Sequence, residues 1–400
     1  MINAHNLKPR PLLLMIAGAK GTVASTVAVA VAMMRKHPEA VLSSLTTGNS
    51  FPYLGPPQAI YMTGWDSQPA ELTGCVKKYG VLPENLWRPY QADLEHTSIF
   101  EVPSADLDLN GQIEQLIKDI RVFKKQYPDS RPVLINLLPA SAQQDLARFK
   151  SLSELRSQID PVDLPDLAYV LAAILSGIPV VNFTPNHLEV PVVVQEAVKQ
   201  NVPISGCDGK TGQTYLKVVL ASALKARNLI VDGWYSLNIL GNTDGKNLMD
   251  PGRAAAKVAN KTGLLEEILG YSVGQRYDAP AHKIHIDYYP PRGDAKEAWD
   301  VIDFQGLFGL PMSIRVNFQG RDSILAAPMV VDLARWMAVL QMAGRCGPIP
   351  ELGFYFKKPV GENPPVHFED QVLSLGKLEK ECDEKCLKRS APPAKRSNDQ

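Results

Sequence analysis

Two lysines, Lys257 and Lys261, stand one helical turn apart in the stretch DPGRAAAKVANKTG. Asp250 is suited to cap a helix N-terminus, Pro251 to fill its first position and Gly263 to end it, with good helix formers between. Both ammonium groups then leave one face, which costs roughly 0.2–0.5 kcal/mol unless something anionic lies between them. Paired cations suit an oxyanion or a phosphate, and a crowded, desolvated lysine falls in pKa far enough to accept a proton. A solvated pair that complements the helix dipole accounts for the same spacing, so the rest of the chain has to decide.

The first half of the chain alternates strands and helices. PLLLMIAG reads as a buried strand ending at Gly18, and AKG leads into the small-residue helix TVASTVAVAVAMMRK. Amides at such a helix start suit a dinucleotide pyrophosphate, which makes Gly18, Ala19, Lys20, Gly21, Thr22 and Val23 candidate cofactor contacts. Ile16 stands where the full glycine fingerprint needs glycine, so a plain tight turn explains Gly18 and Gly21 about as well. Further strands end near Asn136 and Ser141 (PVLINLLPAS) and near Thr184 and Asn186 (IPVVNFTPN). Repeated units of this kind predict a parallel sheet whose carboxyl edge holds the ligand, although those polar residues serve loop backbone groups equally well. Glu39 lies near the usual distance for a ribose contact but in a helix-to-strand connection, and Asp66, after the strand-like AIYMT, reads as a turn aspartate or a ribose contact. GKT at 209–211 is no P-loop, because Ile204 occupies the place of its first glycine.

Beyond about Tyr215 the period changes. Ser236–Leu240, Lys283–Tyr289 and Ser313–Phe318 alternate apolar with polar residues, as half-buried strands of an open sheet do. Asp294 is expected to cap a helix AKEAWDVI and Asp322 a helix from Ser323; the string Arg292, Gly293, Asp294 carries no adhesion function. Ser323–Gly344 is apolar but broken by Asp332 and Arg335, which favours a buried helix over a membrane span. From Lys377 the chain is dense in charge with little to bury, and disorder is expected.

Lys+Arg and Asp+Glu both number 42 in the 400 residues, so net charge gives no reason to expect nucleic acid or a membrane as partner. Five cysteines without regular spacing fit a reduced cytoplasmic protein. Cys382 and Cys386 share a helix face, but two thiols alone make no structural metal site, and MINAHNLKPR lacks signal-peptide features.

Several linked motifs occur in an order shared with one enzyme family: GWD (64–66), FTPN (183–186), GCDGKTGQT (206–214), SLNILGNTDGKNL (236–248), HKIHIDYYPPRGDAK (282–296) and RDSILAAP (321–328). Between about residues 10 and 365 the chain resembles the myo-inositol-1-phosphate synthases, also called inositol-3-phosphate synthases. The resemblance implies an α/β fold: a Rossmann-like parallel-sheet NAD-binding domain with an inserted α+β catalytic and tetramerisation domain having an open sheet. The corresponding boundaries are 8–214 for NAD binding, 215–322 for catalysis and assembly, 323–370 for returning helices, and 371–400 for a disordered tail.

It also implies conversion of glucose 6-phosphate to 1D-myo-inositol 3-phosphate, the first step of inositol biosynthesis, by a cytoplasmic homotetramer. C5 is oxidised, a C6 proton is lost, C6 closes onto C1, and the hydride returns. The family's catalytic lysines fall on Lys257, Lys261, Lys296 and Lys357, all lysine here. Lys257 is assigned to the C5 hydroxyl, Lys261 and Lys357 to the oxyanions, and Lys296 to phosphate and the C5 oxygen. Asn242 and Asp244 resemble substrate contacts, Asp208 and Asp322 orient lysines or touch substrate, and Gly206, Asp208 and Thr211 lie by the cofactor. The resemblance of the GWD motif, more than the spacing, is what favours Asp66 as the ribose contact. An ordinary NAD-dependent sugar-phosphate dehydrogenase and a non-catalytic NAD-binding protein are the rival readings. The lysine set argues against the first, while the incomplete glycine turn favours the second.

Overall fold

The structure is a computed structural model that describes residues 10–141, 144–241, 245–246, 249 and 263–390. Its strands are β1 (Leu12–Ala17), β2 (Ile60–Trp65), β3 (Ile99–Phe100), β4 (Arg131–Asn136), β5 (Val180–Asn182), β6 (Pro203–Ser205), β7 (Ile230–Leu240), β8 (His282–Tyr288), β9 (Ala295–Gln305), β10 (Pro311–Arg321) and β11 (Gly347–Pro348). One sheet runs β11-β6-β5-β4-β1-β2-β3, every pair parallel. The first six strands follow the doubly wound order 3-2-1-4-5-6, with the topological switch between β1 and β4.

All six residues of β1 are buried, so the strand needs cover on both faces. Leu12, Leu14 and Ile16 join a core built from helices Thr22–Lys36, Asp322–Met342 and Phe368–Ser390. Leu13, Met15 and Ala17 face the opposite core under helices Leu109–Gln126, Asp166–Leu175 and Pro191–Lys199. This period of two follows from alternate side chains pointing to opposite faces of a strand.

The second sheet runs β10-β9-β7-β8 and enters the chain between β6 and β11. Because β11 pairs with β6, the chain returns to the first sheet and the second is an insertion. Helix Gln213–Ala226 packs on the inner face of the second sheet with Val218, Ala221 and Leu224 against Val231, Trp234 and Ile302.

Helix Asp322–Met342 is long and apolar enough to cross a membrane, but 78% of its apolar window is buried inside the molecule. Its two interior charges are satisfied there. Asp332 accepts from the backbone and hydroxyls of Thr46 and Thr47, and Arg335 donates to the Thr47 hydroxyl and the carbonyls of Thr47 and Ser50.

Three local expectations are corrected. AKEAWDVI is the start of β9, not a helix, because pairing with both β7 and β10 outweighs its helix propensity; Asp294 accepts instead from the Ser323 hydroxyl at 2.9 Å. Gly263 ends no helix, since 263–269 is helical. The segment expected to be disordered from 371 is helical to Ser390, because Leu378, Cys382 and Cys386 recur every four residues and bury one stripe in the core.

Candidate active site

The site grows from the segment that joins the two sheets. After β6, the Asp208 amide donates to the Thr184 carbonyl at 2.7 Å and the Gly209 amide to Phe183 at 3.1 Å, tying the junction to the carboxyl end of β5. On its other side the Lys357 amide donates to the Asp208 carbonyl and the Lys210 amide to Tyr355, both at 2.8 Å. Gly209 must be glycine, because a Cβ there would lie 2.1 Å from the Phe183 ring.

Two lysine–aspartate pairs stand along this segment. Lys357 Nζ lies 2.6 Å from Asp208 Oδ1, with side chains 9% and 5% exposed, so solvent screens the pair little. Lys296 Nζ lies 3.3 Å from Asp322 Oδ2, and Asp322 Oδ1 accepts from the Thr211 hydroxyl at 3.2 Å. Four residues from four distant stretches are thus gathered around 208–211. Cations held by fixed carboxylates can stabilise oxygen-centred negative charge without reorganising.

Lys296 occupies the start of β9 opposite Leu240, the last residue of β7, so Gly241 leaves the sheet beside it. Asn242, Asp244, Lys257 and Lys261 follow in the sequence and lie outside the described residues. Of the expected lysine set, the structure therefore brings Lys296 and Lys357 to the junction.

The cofactor candidates lie along the carboxyl edge at the switch point, where Ala17 is in register with both Trp65 and Asn136. Gly18 has φ +82°, and a Cβ there would lie 3.1 Å from the Leu137 carbonyl. Ala19 is buried and Gly21 precedes helix Thr22–Lys36, whose N-terminus has no side-chain cap and no acidic residue in its first turn. Such a start leaves backbone amides for an anion. It is this helix start that suits a dinucleotide pyrophosphate despite Ile16, since the turn amides of Gly18 and Ala19 donate to the Trp65 carbonyl, that of Lys20 to Asp66 and that of Gly21 to Gly18.

Asp66 does something other than wait for a ribose. Its oxygens accept from the amides of Lys20 and Gln68, both at 2.8 Å, and it braces the glycine turn. Each carboxylate oxygen still has a lone pair to offer.

Asn136, Thr184 and Asn186 form a buried network centred on Asp166 and Asn182. Asp166 Oδ2 accepts from Asn186 at 2.6 Å and Asn136 at 3.1 Å, the Thr184 hydroxyl donates to Asn182, and the Ser141 amide donates to Asn186 Oδ1. Burial raises the Asp166 carboxyl, opposed by the amides of Asn186 and Asn136. These side chains shape the loops at the sheet edge. Gly206 sits behind them, where a Cβ would lie 2.6 Å from Glu189 Oε1.

Sequence reasoning did not foresee the burial of two lysines. Lys210, 2% exposed, donates to the Gly353 carbonyl at 3.0 Å and to Gln371 at 2.8 Å; burial lowers it to about 7. Lys217, also 2% exposed, lies under the second sheet and is lowered to about 8 by burial, against the opposing pull of Asp300. The available signal for Lys217 was Ser236 and Asn238, polar residues at inward positions of β7. Nothing local announces Lys210. Among the described residues no group of three or more His, Cys, Asp or Glu side chains is placed to hold a metal.

Residues 212–323 match the family model described as Myo-inositol-1-phosphate synthase. The chain is 40% identical over 264 residues to inositol-3-phosphate synthase 1 of Bacteroides thetaiotaomicron, covering 64% of this chain and 62% of that one. It is 30% identical over 305 residues to the probable inositol 3-phosphate synthase isozyme 3 of Arabidopsis thaliana, covering 69% and 59%. The chain thus spans about three fifths of the length of the curated relatives it matches. Its fold is that of the Caenorhabditis elegans inositol-3-phosphate synthase (TM-score 0.77, 22% identity, 94% and 86% covered). A myo-inositol-1-phosphate synthase-related protein from Thermotoga maritima is similarly close (TM-score 0.75, 20% identity, 94% and 99% covered).

Proposed function

Because the chain belongs to the myo-inositol-1-phosphate synthase family, we propose that it isomerises glucose 6-phosphate to 1D-myo-inositol 3-phosphate with NAD as a recycled cofactor. The observation that carries this reading is the convergence of the Lys357–Asp208 and Lys296–Asp322 pairs on the segment that leaves the nucleotide-type sheet. A dehydrogenase with net redox turnover needs one hydride path and no collection of cations. A cyclase must carry negative charge on two oxygens in turn, at C5 during enolisation and at C1 during closure, and a set of lysines suits that task.

NAD, when bound, supplies the acceptor and later the donor of one hydride. The chain's own residues do the rest. The uncapped helix start after the glycine turn holds the pyrophosphate, with Asp66 bracing the turn. Asp208 fixes Lys357, and Asp322 fixes Lys296, so neither ammonium has to be recruited when charge develops. Lys357 with Lys261 serves the oxyanions, Lys296 the phosphate and C5 oxygen, Lys257 the C5 hydroxyl proton, and Asn242 and Asp244 the sugar hydroxyls.

The assembly we infer is a homotetramer built on the second sheet. Its outward face carries Tyr235 and Trp299, about half exposed, and the β9–β10 connection carries Leu307 at 79% and Phe308 at 87% exposure. A solvated face would be polar there, and apolar surface of this kind favours a subunit contact. The five free cysteines support a reducing, cytoplasmic setting.

The test is to incubate the purified chain with glucose 6-phosphate and NAD, following inositol phosphate and the absorbance of NADH. Cyclised product without net NADH is expected. Steady NADH accumulation favours the dehydrogenase, and no product favours a binding protein; either result sinks the synthase reading.

A further inference from the structure

Under the inner face of the second sheet lies a polar cluster that the reaction scheme does not use. Lys217, in the second turn of helix Gln213–Ala226, donates to the Ser236 hydroxyl at 3.2 Å and approaches His282 Nε2 at 2.7 Å. The Ser236 hydroxyl donates to Asp300 Oδ1 at 2.5 Å, and the Trp234 indole donates to the same oxygen at 2.8 Å. Gln213 Nε2 donates to Asp300 Oδ2 at 2.9 Å, and the Trp234 ring lies 5.2 Å from the ammonium. Every one of these side chains is less than 10% exposed.

The hydrogen-bond directions form one consistent set. Lys217 donates hydrogen bonds to Ser236 and, in the tautomer with Nε2 bare, to His282, while Asp300 accepts from Ser236, Trp234 and Gln213. One buried cation is matched to one buried anion through a hydroxyl, and removing either leaves the other without compensation. Evolution of a stable core alone does not require this, since apolar packing of similar volume does as well or better. What the cluster achieves is specification of position.

Its location indicates which position. Gln213 is two residues beyond Thr211, which holds Asp322. Asp300 is on β9 with Lys296, on the same inward-facing set that includes Ala298. The cluster therefore links the helix start next to one member of the Lys296–Asp322 pair to the strand that carries the other.

We propose that Lys217, Ser236, Asp300 and His282 are positioning residues that lock the first turn of helix Gln213–Ala226, and with it Thr211 and Asp322, against the strand bearing Lys296. The proposal rests on the synthase reading for its kinetic consequence, but not for its structural one. With the lock loosened, Lys296 is displaced relative to a bound sugar phosphate; a misplacement of about 1 Å is enough to cost on the order of 100-fold in rate.

The test uses the full chain and begins with the mildest change, Ser236→Ala, which removes one hydroxyl and leaves both charges. Expected are a kcat lower by about 10- to 100-fold, a KM for glucose 6-phosphate within about 3-fold, and unchanged NAD affinity by calorimetry. Ser236→Thr, which keeps the hydroxyl, restores most of the rate. Asp300→Asn and Lys217→Met act in the same direction and more strongly wherever they fold. Wild-type kcat in Ser236→Ala, or a loss that Ser236→Thr does not restore, overturns the proposal. If the wild-type chain forms no product, the synthase reading fails on its own. Hydrogen exchange at amides 211–216 then decides: faster exchange in Ser236→Ala upholds the lock, and unchanged exchange overturns it.

Discussion

Replacing Lys210 by methionine isolates a charge that the fold keeps largely neutral. Its Nζ has two partners, the Gly353 carbonyl and Gln371 Oε1, which a neutral amine satisfies with its two N–H groups. Burial lowers this amine from the ordinary 10.5 to about 7. Between those values the unfolded chain binds a proton that the folded chain does not, so stability rises with pH across the window, by up to about 1.4 kcal/mol per pH unit. Below pH 7 both states carry the proton and the burial cost is present in full, at most about 5 kcal/mol. Lys210→Met has no proton to gain. Urea unfolding of both proteins at several pH values then gives a stability difference that moves in favour of wild type by about 3 kcal/mol between pH 7 and 9.5. Lys217 titrates in both proteins and cancels. A difference that does not change with pH refutes the reasoning.

Asp208→Asn removes the charge that holds Lys357 at 2.6 Å, and kcat is expected to fall by about 100-fold; an unchanged kcat contradicts the pairing. Gly64→Ala puts a Cβ 2.0 Å from the Ile16 carbonyl oxygen, a backbone atom that cannot step aside between paired strands. A loss of about 3 kcal/mol is expected in thermal or urea unfolding, and a wild-type melting profile disproves the close approach. Phe308→Asp places a charge on the most exposed apolar side chain of the β9–β10 connection, and sedimentation is expected to show a smaller assembly than wild type; the same mass for both excludes this surface from the contact.

The doubly wound half was legible because its signals are local. LLLMIA, a glycine turn and TVASTVAVAVAMMRK fall within a residue or two of the observed strand and helix, and both charges in the apolar helix marked it as a core element. β9 was misread because AKEAWDVI has helix-forming residues and its strand character comes from pairing on both sides, which no single segment announces. The last helix was misread because its stripe of Leu378, Cys382 and Cys386 is narrow among many charges. At the site, Asp208 came from a linked motif and Lys357 from the family's lysine set, and the structure brings them within 2.6 Å. The polar residues at the sheet edge were assigned to the cofactor by position alone, whereas their hydrogen bonds go largely to one another. Lys217 and His282 meet only because a helix folds over a sheet assembled from strands dozens of residues apart.

The most direct measurement follows one hydrogen. Glucose 6-phosphate carrying deuterium at C5 is converted by the full chain in the presence of unlabelled NAD, and the product is examined by mass spectrometry. A redox-neutral cyclisation returns the same hydride to the same carbon, so the inositol phosphate keeps its deuterium and the cofactor pool gains none. Label appearing in reduced cofactor, or an oxidised sugar as the accumulating product, contradicts the account.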